Sequence, residues 1–332
     1  MPLPARLRRP LAPAAPTGAT RLPGIDAARG AALAAMALYH LTWDLGFLRL
    51  TPENYALTPP GRVCAHAIAG SFLTLVGIGL VLAQGKGFRP RPFLARLARI
   101  AAAAAAISLA TRIAFPDSWI FFGILHCIAL SSVLALPALR APRPLVGAGA
   151  AAAFAAPALA AWSGADAGLL DAPALLFLGL GRTVPATNDY VPLFPWIGFV
   201  LAGIGLARLG LTRRAARELP GRAGRFLAAA GRHSLAVYLV HQPVLFGLAA
   251  GVAAMTGPHP RAGEGAFLRE YRESCATAGG EAGACRAAAR CLLGRLRAEG
   301  LWPAVERGAL TAEARERAVA ASQDCFSRAK PG

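Results

Sequence analysis

The sequence predicts an all-α, polytopic helical membrane protein with about seven transmembrane helices, a short re-entrant or interfacial segment and a small helical C-terminal tail domain. Three observations carry that expectation. Of the 332 residues, 55% are hydrophobic and only 16% charged, where a soluble chain carries about a quarter charged; mean hydropathy is +0.47. Apolar runs of spanning length recur up to about residue 256. The basic residues gather between those runs, so the formal net charge of +18 reads as a positive-inside bias rather than a nucleic-acid surface.

Residues 1–24, rich in Pro, Ala and Arg, have no apolar core of the kind a signal peptide needs, and read as a disordered basic cytoplasmic arm. Residues 25–256 form the transmembrane domain. The first span runs from about Gly24 to Leu48, and a loop with Pro52, Pro59 and Pro60 leads into a second, from about Arg62 to Ala83. The loop carrying Lys86, Arg89, Arg91, Arg96 and Arg99 belongs on the cytoplasmic side, which puts the N-terminus inside as well. The third span extends from about Phe93 to Ile113, with six alanines (Ala101 to Ala106) suited to close helix approach in lipid. A fourth, Trp119 to Leu139, returns the chain to Arg140 and Arg143, and a fifth, Pro144 to Trp162, ends at a loop with Asp166 and Asp171.

The next apolar stretch, Ala172 to Gly181, is short for a span and fits a re-entrant or interfacial segment. Counting it as a full crossing would put the basic cluster Arg213, Arg214, Arg217, Arg222 and Arg225, which follows the sixth span (Val191 to Leu209), on the outside. Seven spans result. The last runs from Phe226 or Ser234 to Met255, with the C-terminus in the periplasm.

Residues 257–332 are polar and helical in pattern, with breaks at Gly279–Gly280 and from Gly300 to Pro303, which suggests two or three short helices. The tail holds Cys275, Cys285, Cys291 and Cys325. No C-x-x-C pair and no nearby histidine favours zinc, no metal site is expected, and an oxidising compartment favours disulfides, whose three pairings stay open. Cys64 and Cys127 stand alone in apolar spans, as small buried hydrophobes do.

The chemistry concentrates in Arg21 to Leu50, an apolar stretch that carries Asp26, Arg29, His40 and Asp44. Ionisable groups at membrane depth mark functional sites, because they are costly unless they face a protein interior or a wet cavity. Residues eleven apart on a helix fall on nearly one face, roughly 16 Å apart along the axis. Arg29 at a membrane surface would thus share a face with His40 about halfway through, and Asp44, one turn further, lies within reach of the ring. His40 reads as a general base and Asp44 as its orienting partner, against the plainer alternative of a structural histidine.

Four other histidines lie in or at the edge of apolar spans. His66 stands near the outer start of the second and His126 in WIFFGILHCIAL; His241 and Gln242 follow Tyr238 in a polar stripe beside Pro243, which frees a backbone carbonyl. His66, His126, His241 and Gln242 are candidates for the substrate pocket. His233, beside Arg232, reads as interfacial, and Pro195 with Trp196 as an aromatic-belt anchor.

The phrases GIDAARG, HLTWD, FLTLVGIGL, FGILH, PLFPWIG and SLAVYLVHQPVL, in that order over about residues 21–256, resemble bacterial proteins similar to the catalytic domain of heparan-α-glucosaminide N-acetyltransferase. Arg29, ten residues and then His40 also resembles the first helix of the wider transmembrane acyltransferase superfamily, related to the acyltransferase-3 type. The resemblance implies a cytoplasmic acyl-CoA donor, acetyl-CoA above all, and a glycan or other polar acceptor on the periplasmic side of a bacterial inner membrane. Arg29, Arg96 and Arg99 would then hold the donor's phosphates. There is one departure: the human-type enzymes carry their proposed catalytic histidine in the lumenal loop after the first helix, and RLTPENYALTPPGR has none. The partners expected are therefore the lipid bilayer and a polar acceptor, with no nucleic acid and self-association left open. From other classes come a transporter or flippase using the intramembrane His and Asp as a proton relay, and a non-catalytic scaffold for the tail.

Overall fold

The computed structural model of the chain describes residues 22–84, 87–164, 167–212 and 221–329. The expected N-terminal arm up to position 21 lies outside the described residues, as do Lys86, Asp166, Arg213, Arg214 and Arg217. Among the described residues the structure is helical, and one isolated backbone bridge, Phe122 to Tyr190, is its only strand-like pairing. They divide into two compact units, one drawn from residues 22–31 and 69–233 and the other from 32–68 and 234–329. Helices α1 (Pro23–Phe47) and α2 (Pro59–Gln84) contribute to both.

The first unit continues with α3 (Pro90–Ala114), α4 (Ile124–Leu134), α5 (Arg143–Trp162), α6 (Ala167–Leu170), α7 (Leu193–Arg208) and α8 (Gly221–Arg232). Prolines open α1, α2 and α3, where the missing N–H would have had no partner in any case. Helices α2, α3 and α5 are long and apolar enough to cross a membrane, while α4 and α7 are apolar but shorter. Small residues bring the helices together. A Cβ on Gly77 would run into the Val200 carbonyl, and one on Gly203 into the Thr74 carbonyl, so α2 and α7 approach glycine to backbone in both directions. Gly30 and Gly231 do the same for α1 and α8, against the carbonyls of Leu227 and Asp26. Ala153 of α5 packs with Leu193 and Ile197 of α7 in a buried cluster.

Three stretches depart from the periodicity. The expected fourth span is α-helical only over α4: it stops at Leu134, with a separate 3₁₀ turn at Pro137–Leu139. It also lacks its start, because 119–123 finds its backbone partners outside a helix: Ile120 N–H donates to Thr111 Oγ1 at 3.0 Å, the Ser108 hydroxyl to Ile120 O at 2.6 Å, and Val191 N–H to Phe122 O at 3.2 Å. The expected re-entrant segment has no α-helix between residues 172 and 181. It is built of turns and a single 3₁₀ turn, Leu176–Leu178, which ends at a left-handed Gly179 (φ +74°). Its Leu176 carbonyl accepts from the Tyr190 hydroxyl at 2.6 Å. Of the two starts expected for the seventh span, Ser234 is the one observed and Phe226 is not: the helix breaks at His233, and α8 is a separate amphipathic helix that buries Gly224, Ala228 and Gly231 and turns Arg222, Arg225 and Phe226 outward.

The second unit adds α9 (Ser234–Thr256), also long and apolar enough to cross, and four tail helices: α10 (Glu264–Thr277), α11 (Ala282–Ala298), α12 (Trp302–Glu306) and α13 (Ala312–Ala329). That is more than the two or three expected; the breaks at Gly279 and Gly300, both left-handed, fall where the sequence places them. Two disulfides, Cys275–Cys285 and Cys291–Cys325, staple a core of Leu292, Leu293, Leu296, Trp302 and Ala321. Cys127 is buried as expected, whereas Cys64 is exposed. The tail is tied to the α1–α2 loop. Arg269 pairs with Glu53, Arg49 with Glu306 at 3.6 Å, and His259 N–H donates to Arg49 O at 2.8 Å.

Candidate active site

In the second unit, α1 and α9 bring a polar cluster together among apolar residues. His40 and His241 face each other with ring centroids 5.2 Å apart, flanked by Tyr39 and Tyr238. Asp44 is fully buried. Its position one turn beyond His40 predicted a bond to that ring, but Asp44 Oδ1 instead accepts from Gln242 Nε2 at 2.8 Å, across to α9. Three buried atoms of the cluster have no hydrogen-bond partner: Asp44 Oδ2, Gln242 Oε1 and His241 Nε2. A buried polar atom left unpaired is costly, and these three acceptors can take hydrogen bonds from a donor group placed among them. His241 Nδ1 lies 2.8 Å from Tyr238 O and 3.2 Å from Val237 O. A carbonyl only accepts, so Nδ1 carries the proton.

In the first unit a cationic cluster forms. Arg29 pairs with Asp26 at 3.0 Å, and Arg96 of α3 lies within electrostatic reach of both Arg29 and Arg99. The Arg29 guanidinium rests against α2 where Gly79 leaves room; a Cβ there would stand 2.9 Å from Nη2. Arg96 thus links the other two arginines expected to bind phosphate, each within its electrostatic reach, and Arg99 Nε donates to Ala95 O at 3.2 Å. Three guanidiniums with one partnering carboxylate leave positive charge for an anion.

His126, also in the first unit, is engaged on both sides. Gly123 N–H donates to Nδ1 at 3.2 Å, and Nε2 lies 3.2 Å from Ser108 Oγ, whose own proton goes to Ile120 O. The ring is thus the neutral Nε2–H tautomer, reaching back to the residue that caps α4. Next to it Asp189 accepts from Ile124 N–H at 2.9 Å, and burial pushes its carboxyl up to about 6 despite that bond. Asp189 and Gly79 carry no signal in the sequence: one is an acid in a polar loop, the other one glycine among several. His66 is exposed on the first turns of α2.

Residues 21–243 match the family model described as "Heparan-alpha-glucosaminide N-acetyltransferase, catalytic". The chain belongs to that family. No curated protein and no solved structure matches it. The match takes in Arg29, Arg96 and Arg99 as well as His40, Asp44, His241 and Gln242, and it ends before the disulfide-bonded tail. Family membership together with the apolar helices makes this a membrane protein of an acetyltransferase family.

Proposed function

We propose that the protein is an acyl-CoA-dependent membrane acyltransferase that moves an acyl group, acetyl in the first instance, from a cytoplasmic donor to a sugar or other polar acceptor on the periplasmic side of a bacterial inner membrane. The observation that carries the reading is the paired-imidazole cluster of His40, Asp44, His241 and Gln242, with its unpartnered acceptor atoms, within the stretch that defines the family. An amine or hydroxyl acceptor supplies the N–H or O–H donors these atoms lack. A neutral imidazole of the pair takes the acceptor's proton as it attacks the thioester. His40 is the residue that the sequence singles out for this step, and Asp44 stabilises the positive charge that develops. Arg29, Arg96 and Arg99 hold the donor's phosphates, a role that charge-assisted hydrogen bonds suit.

The tail supports the sidedness. Its four cysteines are paired, and such disulfides persist in oxidising compartments, as the periplasm is. The α1–α2 loop shares the tail's side, since Glu53 and Arg49 bind it. One crossing by α1 then leaves the N-terminus in the cytoplasm.

The test is release of free coenzyme A when purified protein meets acetyl-CoA and a panel of amino and hydroxyl acceptors, with Arg29→Ala alongside. Turnover in the wild type and strongly weakened donor binding in Arg29→Ala are expected. No thioester cleavage with any acceptor, together with solute uptake or flipping that depends on His40, would replace the enzyme by a transporter.

A further inference from the structure

We infer that His241, on α9, is the group that takes the proton during transfer, through its Nε2 atom. The inference rests on the acyltransferase reading and deepens it, and hydrogen-bond accounting carries it. The His241 Nδ1–H is spent on the Tyr238 carbonyl at 2.8 Å, with the Val237 carbonyl at 3.2 Å behind it. Both acceptors belong to the preceding turn of the same helix, so ring orientation and tautomer are fixed by α9 itself. The lone pair therefore sits on Nε2, which is buried and has no partner. An imidazole whose N–H is anchored to a carbonyl and whose opposite nitrogen is bare is the state a general base needs before the reaction.

His126 shows the contrast. It too lies in an apolar helix, but both of its nitrogens are engaged, by Gly123 N–H and Ser108 Oγ, and it has no lone pair to offer. The groups facing His241 also fit the task. Asp44 lies within electrostatic reach, with Oδ2 unpartnered, and His40 and Tyr238 flank the ring at centroid distances of 5.2 and 5.9 Å. Gln242, the next residue, holds the other oxygen of Asp44. A carboxylate so placed offsets the charge of an imidazolium without bonding to it beforehand.

The acceptor's N–H or O–H is held by Nε2 while its heteroatom attacks the acyl carbon. The new C–N or C–O bond forms, the C–S bond of the thioester breaks, and the proton moves to Nε2. The coenzyme A thiolate leaves and takes that proton as free thiol, which returns His241 to its starting tautomer.

Two measurements test this on the full-length protein in lipid nanodiscs. The first reads the ground state without any substitution: ¹⁵N spectra of histidine-labelled protein, with the His241 signals assigned by difference from His241→Gln. A protonated Nδ1 and a bare Nε2 are expected at neutral pH; a protonated Nε2 would overturn the inference whatever the variants do. The second is kinetic. His241→Gln and His241→Asn should bind acetyl-CoA as the wild type does and lose transfer by about 10²–10⁴-fold, the usual worth of a positioned base. Transfer within tenfold of wild type in a folded His241→Gln, with His40→Asn inactive, would give the proton to His40 and sink the proposal while leaving the acyltransferase reading intact. A wild-type protein that neither binds acetyl-CoA nor releases coenzyme A would instead overturn that reading.

Discussion

Asp189→Asn should stabilise the protein, and by an amount that depends on pH. The Asp189 carboxyl is drawn to the first turn of α4, where it accepts from Ile124 N–H. Two effects oppose each other there. Burial disfavours the anion, while the backbone N–H favours it; burial wins, and the carboxyl is held near 6 against an ordinary value of 3.8. A folded-state value above the unfolded one means that the folded protein binds the proton more tightly, so stability falls as pH rises from about 4 to about 6 and stays reduced above. The gap of about two units corresponds to about 3 kcal/mol. The residue as a whole is partly exposed, and solvent screening brings the expectation to roughly 1–3 kcal/mol.

Asparagine keeps the size and an oxygen for Ile124 N–H but cannot ionise. The variant should match the wild type near pH 4 and exceed it by that margin at pH 7 and above. Unfolding of the detergent-solubilised protein, followed across this range for both chains, reads the difference directly. A constant offset at every pH would mean that folding leaves the Asp189 carboxyl unshifted, and a variant less stable than wild type at pH 7 would mean that the carboxylate's bond to the helix outweighs burial; either refutes the reasoning.

Gly79→Ala should act through Arg29. The added methyl meets only the Arg29 guanidinium, so the expected result is about three- to tenfold weaker acetyl-CoA binding by titration calorimetry and no further loss in an Arg29→Ala background; additive losses would break the link. The tail cysteines should resist maleimide labelling in intact cells until reductant is added, and Cys291→Ser with Cys325→Ser should destabilise the tail by about 2–4 kcal/mol. Free thiols there before reduction would place the tail in a reducing compartment.

Where burial is set by composition alone, the sequence was enough to place the helices. The fifth and sixth expected spans coincide with α5 and α7 to within about two residues, because long apolar runs flanked by Pro and Arg leave few alternatives. The fourth span fails at its start, since Trp-Ile-Phe-Phe-Gly is equally apolar as helix or as extended chain. What decides is a set of partners far along the chain: Val191 for Phe122, Asp189 for Ile124. The break between α8 and α9 was one of two readings the sequence left open, with Phe226 or Ser234 as the start of the last span, because Arg232, His233 and Ser234 interrupt the apolar run without a proline to end the helix. The helix breaks at His233, just after Gly231 packs backbone to backbone against Asp26.

The site divides along the same line. That the ionisable groups of α1 would find interior contacts was legible, because Arg29, His40 and Asp44 are expensive in an apolar helix without them. Which partner each residue meets was not. Helical spacing offers Asp44 to His40, but the carboxylate pairs with Gln242 of α9, 198 positions away in sequence. Likewise His126 and His241 look alike as letters, each a lone histidine in an apolar run. Their difference lies in which nitrogen meets a carbonyl and which meets a donor. Gly123 offers His126 a backbone N–H, so that ring is consumed in holding a loop to a helix. Tyr238 offers His241 a carbonyl, which ties down Nδ1 and leaves Nε2 buried without a partner. A chain that must bury an imidazole and still keep it reactive can do so by tying down only one of its two nitrogens, and of these two rings only His241 meets that condition.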